Sequence, residues 1–351
     1  MQDYSSLYFL DIKRGVSGIR NIHRLDKKTV WVTGATGLLG SCIVDLLMTL
    51  NEQYNADITV IASGRCINRL QSRFNRFLKD SHLLLHKMDL LDEISFPARK
   101  VDFVVHAAGN AHPMAFGTDP IGTLLGCISG TNQLLEYSRR NSVHKFLYVS
   151  SGEVYGVGDK KYSPFHEGFS GYVNPLEVRS CYPNGKRAAE NLCVAYLAQY
   201  GLDVSIVRPC HIYGPYVSQS DNRATVQFCL NALKGEPILI KGSGSQTRSY
   251  LYVVDCCVAI LTVLINGDVG QAYNIASDKP ITIEGMANLI ATMAGTTVVK
   301  KSEHHLGDTP ITYQVLDATK LKMLGWREQF SILEGIEHTL KTMSSCYSGE
   351  L

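Results

Sequence analysis

Thr29-Val30-Trp31-Val32-Thr33-Gly34-Ala35-Thr36-Gly37-Leu38-Leu39-Gly40 is the stretch that decides the fold of this chain. Its first four residues read as a short buried strand, and an apolar helical stretch runs on over residues 38–50. Between them, Gly34 and Gly37 permit a tight turn that lets the backbone approach a pyrophosphate. Gly40 lets the helix sit close to the sheet, and free N–H groups at the helix start face the anion. Strand, Gly-x-x-Gly-x-x-Gly turn and helix, in that order, predict a dinucleotide site at the head of a βα series.

The series continues outward from that turn. Strands are expected at 29–32, 57–62, 82–88, 101–107, 145–150, 204–208 and 237–240, with helices at 38–50, 122–140, 186–200 and 225–234 among the segments between them. Such alternation predicts a mainly parallel sheet covered on both faces. From about residue 218 the pattern turns irregular, so a first domain over 28–217 is followed by a smaller lobe over 218–344, interleaved with late sheet elements. Residues 1–27 are an extension before the first strand and 345–351 a tail.

Composition narrows the class. Of 351 residues, 45% are hydrophobic and 19% charged, which suits a soluble globular protein with a sizeable core. A net charge of +2 gives no reason to expect nucleic acid or an anionic membrane as partner. No apolar run approaches the roughly 18 residues that a membrane span needs. Met1-Gln2-Asp3-Tyr4 opens no signal-peptide pattern, and the ten cysteines show no Cys-x-x-Cys spacing. Reduced cysteines in a cytoplasmic protein are therefore expected. Neither His304-His305 nor His82 with His86 has a third ligand in sequence, so no metal site is expected.

The chemistry is carried by Tyr182 and Lys186, four residues apart. On a helix they share one face and approach one substrate together. A free phenol ionises near pH 10 and is a poor base at neutral pH; an ammonium beside it favours the phenolate. That pairing suits removal of a proton from a sugar hydroxyl while hydride leaves the carbon beneath.

Together these residues resemble the extended short-chain dehydrogenase/reductase family, in its group of sugar-nucleotide epimerases, dehydratases and decarboxylases. The resemblance spans about 28–342. It rests on residues 33–40, Asp89, Val105-His106-Ala107-Ala108-Gly109, Ser150-Ser151-Gly152-Glu153-Val154-Tyr155-Gly156 and Tyr182/Lys186. Further supports are Arg208-Pro209 with Tyr213-Gly214-Pro215, residues 242–248 with Asp255, and Leu324-Gly325-Trp326. It implies an α/β fold, a Rossmann-type doubly wound parallel sheet with a smaller carboxy-terminal substrate-binding lobe.

The resemblance also implies roles. Tyr182 would be the base on the sugar 4-hydroxyl, with Lys186 lowering its pKa and bonding the nicotinamide ribose. Ser151 would bond the reacting hydroxyl, and Glu153 would be the carboxylate that dehydratases and decarboxylases carry. A dinucleotide, NAD or NADP, would meet Gly34, Thr36, Gly37, Leu38, Leu39, Gly40, Ser63, Arg65, Asp89, Leu90, Ala107, Ala108 and Gly109 as well as Tyr182 and Lys186. His211, Arg223 and Arg248 would meet a nucleotide-diphosphate sugar; a planar guanidinium suits two phosphate oxygens at once. A homodimer is implied too, paired through the helices at 122–140 and 186–200.

Within the group, the surroundings of Tyr182 are similar to UDP-glucuronate decarboxylases (UDP-xylose synthases), through Arg179-Ser180-Cys181-Tyr182, Gly185-Lys186-Arg187 and Ala189-Glu190. Those enzymes would oxidise carbon 4, lose carbon dioxide and reduce the ketone again. Three residues depart from the pattern. Gly152 replaces the aspartic acid of dehydratases and the serine common in decarboxylases, which argues against a 4,6-dehydratase. His211 stands where an asparagine is usual and can change charge near neutrality. Ser63-Gly64-Arg65 ends the second strand without the acid an NAD enzyme places on the ribose, and Arg65 leans the choice toward NADP. A 4-epimerase or 4,6-dehydratase, an NADPH-dependent 4-ketoreductase of a deoxysugar nucleotide and a non-catalytic dinucleotide sensor stand as alternatives.

Overall fold

All five residues of β1 (Thr29–Thr33) are buried, as a strand covered on both faces must be. The computed structural model describes residues 5–94, 96–217, 221–301 and 311–347. After β1 come β2 (Thr59–Gly64), β3 (Leu83–Lys87), β4 (Phe103–His106), β5 (Lys145–Val149) and β6 (Val204–Pro209). They are followed by β7 (His211–Tyr213), β8 (Ile238–Lys241), β9 (Thr247–Tyr252), β10 (Ala272–Ile275), β11 (Pro280–Thr282), β12 (Val298–Lys301) and β13 (Tyr313–Gln314).

Seven strands form the main sheet in the order β10-β6-β5-β4-β1-β2-β3, every pair parallel. The chain turns one way from β1 to β2 and β3, then returns to place β4 on the other side of β1. The carboxy ends of β1 and β4 therefore flank a topological switch point, where open α/β sheets form a crevice. One strand expectation is corrected here. The 237–240 segment does form a strand, β8, but it pairs with β12 in a separate two-stranded sheet; the seventh strand of the main sheet is β10.

Helices cover the sheet: α1 (Ser6–Ser17), α2 (Leu38–Tyr54), α3 (Ile67–Arg73), α4 (Pro113–Thr118), α5 (Pro120–Leu125), α6 (Thr131–Arg140) and α7 (Cys181–Tyr200). Then come α8 (Ala224–Leu233), α9 (Val253–Asn266), α10 (Ile283–Ala294), α11 (Thr319–Met323) and α12 (Ile332–Tyr347). Alternation along β1 splits the core. Val30 and Val32 pack with α2 and α9, whereas Trp31 packs on the other face with Leu134 and Leu135 of α6 and with Ala189 and Cys193 of α7. The helix expected at 122–140 is interrupted by a π-helical turn, Gly126–Gly130. Gly185 of α7 faces that turn, where a Cβ would lie 3.0 Å from Cys127.

Residues 1–27, read as an extension, contribute α1, which packs on α2, α9 and α12. Its Tyr8 hydroxyl donates to Asp45 at 2.8 Å, and its Asp11 accepts from the Tyr252 hydroxyl at 2.8 Å. Beyond β6, strands β7, β9, β11 and β13 form a four-stranded sheet of their own. Among the described residues no helix is long and apolar enough to cross a membrane.

Candidate active site

The turn after β1 is built by what its glycines lack. Gly34 has φ +70, and a Cβ on it would lie 2.7 Å from the Ala108 backbone, so it locks the β1 loop against the β4 loop. A Cβ on Gly40 would collide with the Gly34 carbonyl. Gly40 is thus needed to seat α2 closely on the turn itself. Gly37 caps α2 without a side-chain bond, and no acid stands in the first turn. The N–H groups there are left for an anion. Thr36 and Gly37 are exposed at this point, and Leu38 and Leu39 are half-buried.

Beneath the turn, Thr33 Oγ1 lies 2.8 Å from His106 Nδ1 and accepts from the Ala108 N–H at 3.2 Å. His106 Nε2 lies 3.1 Å from Thr131 Oγ1. Burial, helped by the Lys186 charge, pushes the His106 pKa down to about 3, so the ring is a neutral strut. Ala107 and Ala108 are half-buried at the crevice and Gly109 is exposed. Leu90 is buried against Gly130, and Asp89 is half-buried with its carboxylate accepting from the Leu91 N–H at 3.2 Å.

Ser63 departs from its expected cofactor role. Its hydroxyl is buried between Trp31 Nε1 at 2.6 Å and His86 Nδ1 at 2.9 Å, so it holds the sheet together. Arg65 is exposed at the carboxy end of β2 and has no ion-pair partner among the described residues.

Tyr182 and Lys186 stand in the first turns of α7, which begins at Cys181, earlier than expected. Pro183 is tolerated there because first-turn N–H groups have no helical acceptor. Both side chains are buried. Lys186 Nζ donates to the Val149 carbonyl at 2.8 Å, sits 4.7 Å over the Tyr148 ring, and lies 4.0 Å from where a Gly109 Cβ would be. Phe116 of α4 stacks on the Tyr182 ring at 4.5 Å.

This geometry corrects one electrostatic expectation. Burial pushes the Tyr182 phenol well above its usual range, opposed by the Ser151 hydroxyl bonded to it and by Arg223. The Lys186 ammonium, 5.9 Å from the ring centre and itself pushed down by burial, does not overcome that desolvation.

Ser151 also accepts from the Glu153 N–H at 3.2 Å, which bends the chain so that Glu153 enters the site. Sequence reading gave no role to Arg179, yet its Nη1 and Nη2 donate to the two Glu153 oxygens at 3.0 and 2.8 Å. A two-point guanidinium–carboxylate pair fixes the orientation of both groups.

The lobe completes the site. Arg248 is only 2% exposed and donates to the Thr247 carbonyl at 2.9 Å and the Ile311 carbonyl at 2.5 Å. It has no carboxylate partner among the described residues, which suits it to an anion from outside. Arg223 is instead paired to Asp221, at 2.5 Å from Nη2 and 3.0 Å from Nε. His211 packs edge-on to Tyr250, and burial together with Arg248 and Arg223 pushes its pKa down to about 3. It stays neutral, a packed histidine rather than one that changes charge near neutrality. His82 is held between Asp80 and Asp57 on the surface, and His304-His305 lies outside the described residues.

A family model described as "NAD dependent epimerase/dehydratase family" matches residues 30–276. UDP-glucuronic acid decarboxylase 1 of Xenopus tropicalis is 31% identical over 326 residues, covering 92% of this chain and 73% of the relative. UDP-glucuronic acid decarboxylase 5 of Arabidopsis thaliana is 30% identical over 308 residues, covering 88% and 86%. Among solved structures, UDP-glucose 4-epimerase of Thermotoga maritima with UDP-glucose has a TM-score of 0.79 at 26% identity, covering 90% of this chain and 99% of its own. dTDP-glucose 4,6-dehydratase of Streptomyces venezuelae, with NAD bound, has a TM-score of 0.79 at 26% identity, covering 91% and 98%.

Proposed function

Because the chain belongs to the NAD-dependent epimerase/dehydratase family, and is an enzyme that modifies nucleotide sugars, we propose that it decarboxylates a UDP-glucuronate-like substrate through oxidation at sugar carbon 4. The observation that carries this reading is the placement of Glu153, clamped by Arg179, beside Ser151 and Tyr182. The nucleotide diphosphate goes to Arg248, whose buried guanidinium has no protein carboxylate among the described residues. Ser151 bonds the 4-hydroxyl, and Tyr182 takes its proton once its own phenol is ionised. A dinucleotide held by the Gly34 turn and the start of α2 would supply the hydride acceptor for carbon 4 and the hydride that reduces the ketone after carbon dioxide is lost. Glu153 and Arg179 serve the neighbouring carbons, holding charge beside the ring as electrons shift onto the ketone.

The uncapped, acid-free start of α2 and the Gly34 turn fit the dinucleotide pyrophosphate. Exposed Arg65 favours NADP, since a 2′-phosphate would find a cation there and no acid. We divide the chain by task into a dinucleotide domain over 28–217 and a substrate lobe over 218–344. A homodimer is part of the proposal. Leu125 of α5 and Val194 and Tyr200 of α7 are exposed apolar residues, while Leu134 and Leu135 face the sheet. So is a cytoplasmic setting, in keeping with free thiols at every described cysteine.

One experiment tests the reading. The dinucleotide released from denatured protein is identified, and UDP-glucuronate given to native enzyme is followed by mass spectrometry. Loss of carbon dioxide is the expected result. Unchanged mass with an altered sugar would replace the reading with 4-epimerisation, and stoichiometric consumption of NADPH with a 4-keto sugar would replace it with ketoreduction.

A further inference from the structure

We propose that Gln314 is a specificity-determining residue of this site: its amide, bonded to the Gly152 carbonyl, contacts the substituent on sugar carbon 5. The proposal rests on the functional reading above for the position of the sugar. Gln314 lies at the end of β13, in register with Arg248 of β9, while Tyr250 of β9 is in register with His211 of β7. Registered and alternate residues of a sheet share one face, so Gln314, Arg248, Tyr250 and His211 form one polar wall of the lobe.

Against that wall lies the Ser151-Gly152-Glu153 segment. Gln314 Nε2 donates to the Gly152 carbonyl at 2.7 Å. A Cβ built on Gly152 would lie 3.5 Å from Gln314 Nε2 and 3.3 Å from Leu316 Cδ1. A side chain at position 152 would therefore start in contact with Gln314 and Leu316 from across the lobe. A carbonyl only accepts, so the amide orientation is set: Nε2 faces Gly152 and Oε1 faces away. Oε1 has no hydrogen-bond partner among the described residues.

Ser151 and Tyr182 address carbon 4, and Glu153 sits one residue beyond Gly152. An amide over Gly152 is thus placed for a group attached beside carbon 4. It is neutral: its second N–H can donate to a carboxylate or a hydroxymethyl oxygen, and its Oε1 can accept only from the hydroxymethyl O–H.

The test uses the full-length protein with its bound dinucleotide and three probes: UDP-glucuronate, UDP-glucose and UDP-xylose, the last bare at carbon 5. Calorimetric Kd values are compared for wild type, Gln314→Met and Gln314→Glu, with Tm as a control for folding. In Gln314→Met, which keeps the shape and loses the hydrogen bonds, the first two sugars are expected to weaken roughly five- to tenfold while UDP-xylose keeps its wild-type Kd. In Gln314→Glu, UDP-glucuronate is expected to weaken more than UDP-glucose, because the new charge repels a carboxylate alone. Equal weakening of all three sugars, or no change in any, overturns the proposal. Should wild type bind these sugars yet release no carbon dioxide from UDP-glucuronate, the decarboxylase reading falls while the UDP-glucose to UDP-xylose contrast still judges Gln314.

Discussion

The ring of Phe116 lies on the ring of Tyr182, with centroids 4.5 Å apart and planes 15° from parallel. Such a pair contributes about 0.5–1.5 kcal/mol beyond its buried area. Its larger consequence is chemical. The stack sets the plane of the phenol and strips water from it, and a desolvated phenol holds its proton. The Ser151 hydrogen bond works in the opposite direction, so two contacts of opposite sign tune one base.

Phe116→Leu should therefore make Tyr182 easier to ionise. Tyr182 acts as a base only when deprotonated, so its pKa sets the acid limb of the kcat/KM profile. Exposing the phenol lowers that pKa, and the limb should move to lower pH. A profile that stays in place, or moves to higher pH, would remove Phe116 from the account.

Tyr182→Phe should lower turnover by about two to four powers of ten, the usual contribution of a general base. Its ring still stacks on Phe116, so Tm and dinucleotide content should stay near wild type. A variant that keeps most of the rate on the true substrate would refute Tyr182 as the base.

Glu153→Gln keeps a partner for Arg179 but removes the negative charge. Hydride transfer from carbon 4 should persist while later steps slow, so reduced dinucleotide and keto-sugar should accumulate, visible as absorbance near 340 nm (roughly the dihydronicotinamide band). Turnover as fast as wild type would favour 4-epimerisation or reduction, whose chemistry ends at carbon 4.

Arg65→Ala should weaken NADP about tenfold or more and leave NAD nearly unchanged, since only NADP carries a phosphate for a charge-assisted bond. Titration of both dinucleotides reads this directly. Equal losses would make Arg65 an ordinary surface residue.

What the sequence determined by itself is local. The β1–α2 turn was legible because positive φ at Gly34 and the close approach of Gly40 to the Gly34 carbonyl favour glycine at both positions, so their spacing announces the turn at short range. The face shared by Tyr182 and Lys186 was legible because helical spacing needs no partner from elsewhere. Arg179 was in plain view three residues before Tyr182, but its tie to Glu153 has no signature in spacing. The tertiary structure decided the rest. It set strand 237–240 apart from the main sheet and put β10 at its edge, because alternation marks a strand without naming its neighbour. It made His211 neutral and raised the Tyr182 phenol, because a pKa follows burial by side chains far along the chain. It laid Phe116 on Tyr182 and Gln314 over Gly152, contacts between segments that only the packing of the lobe and of α4 against α7 brings together.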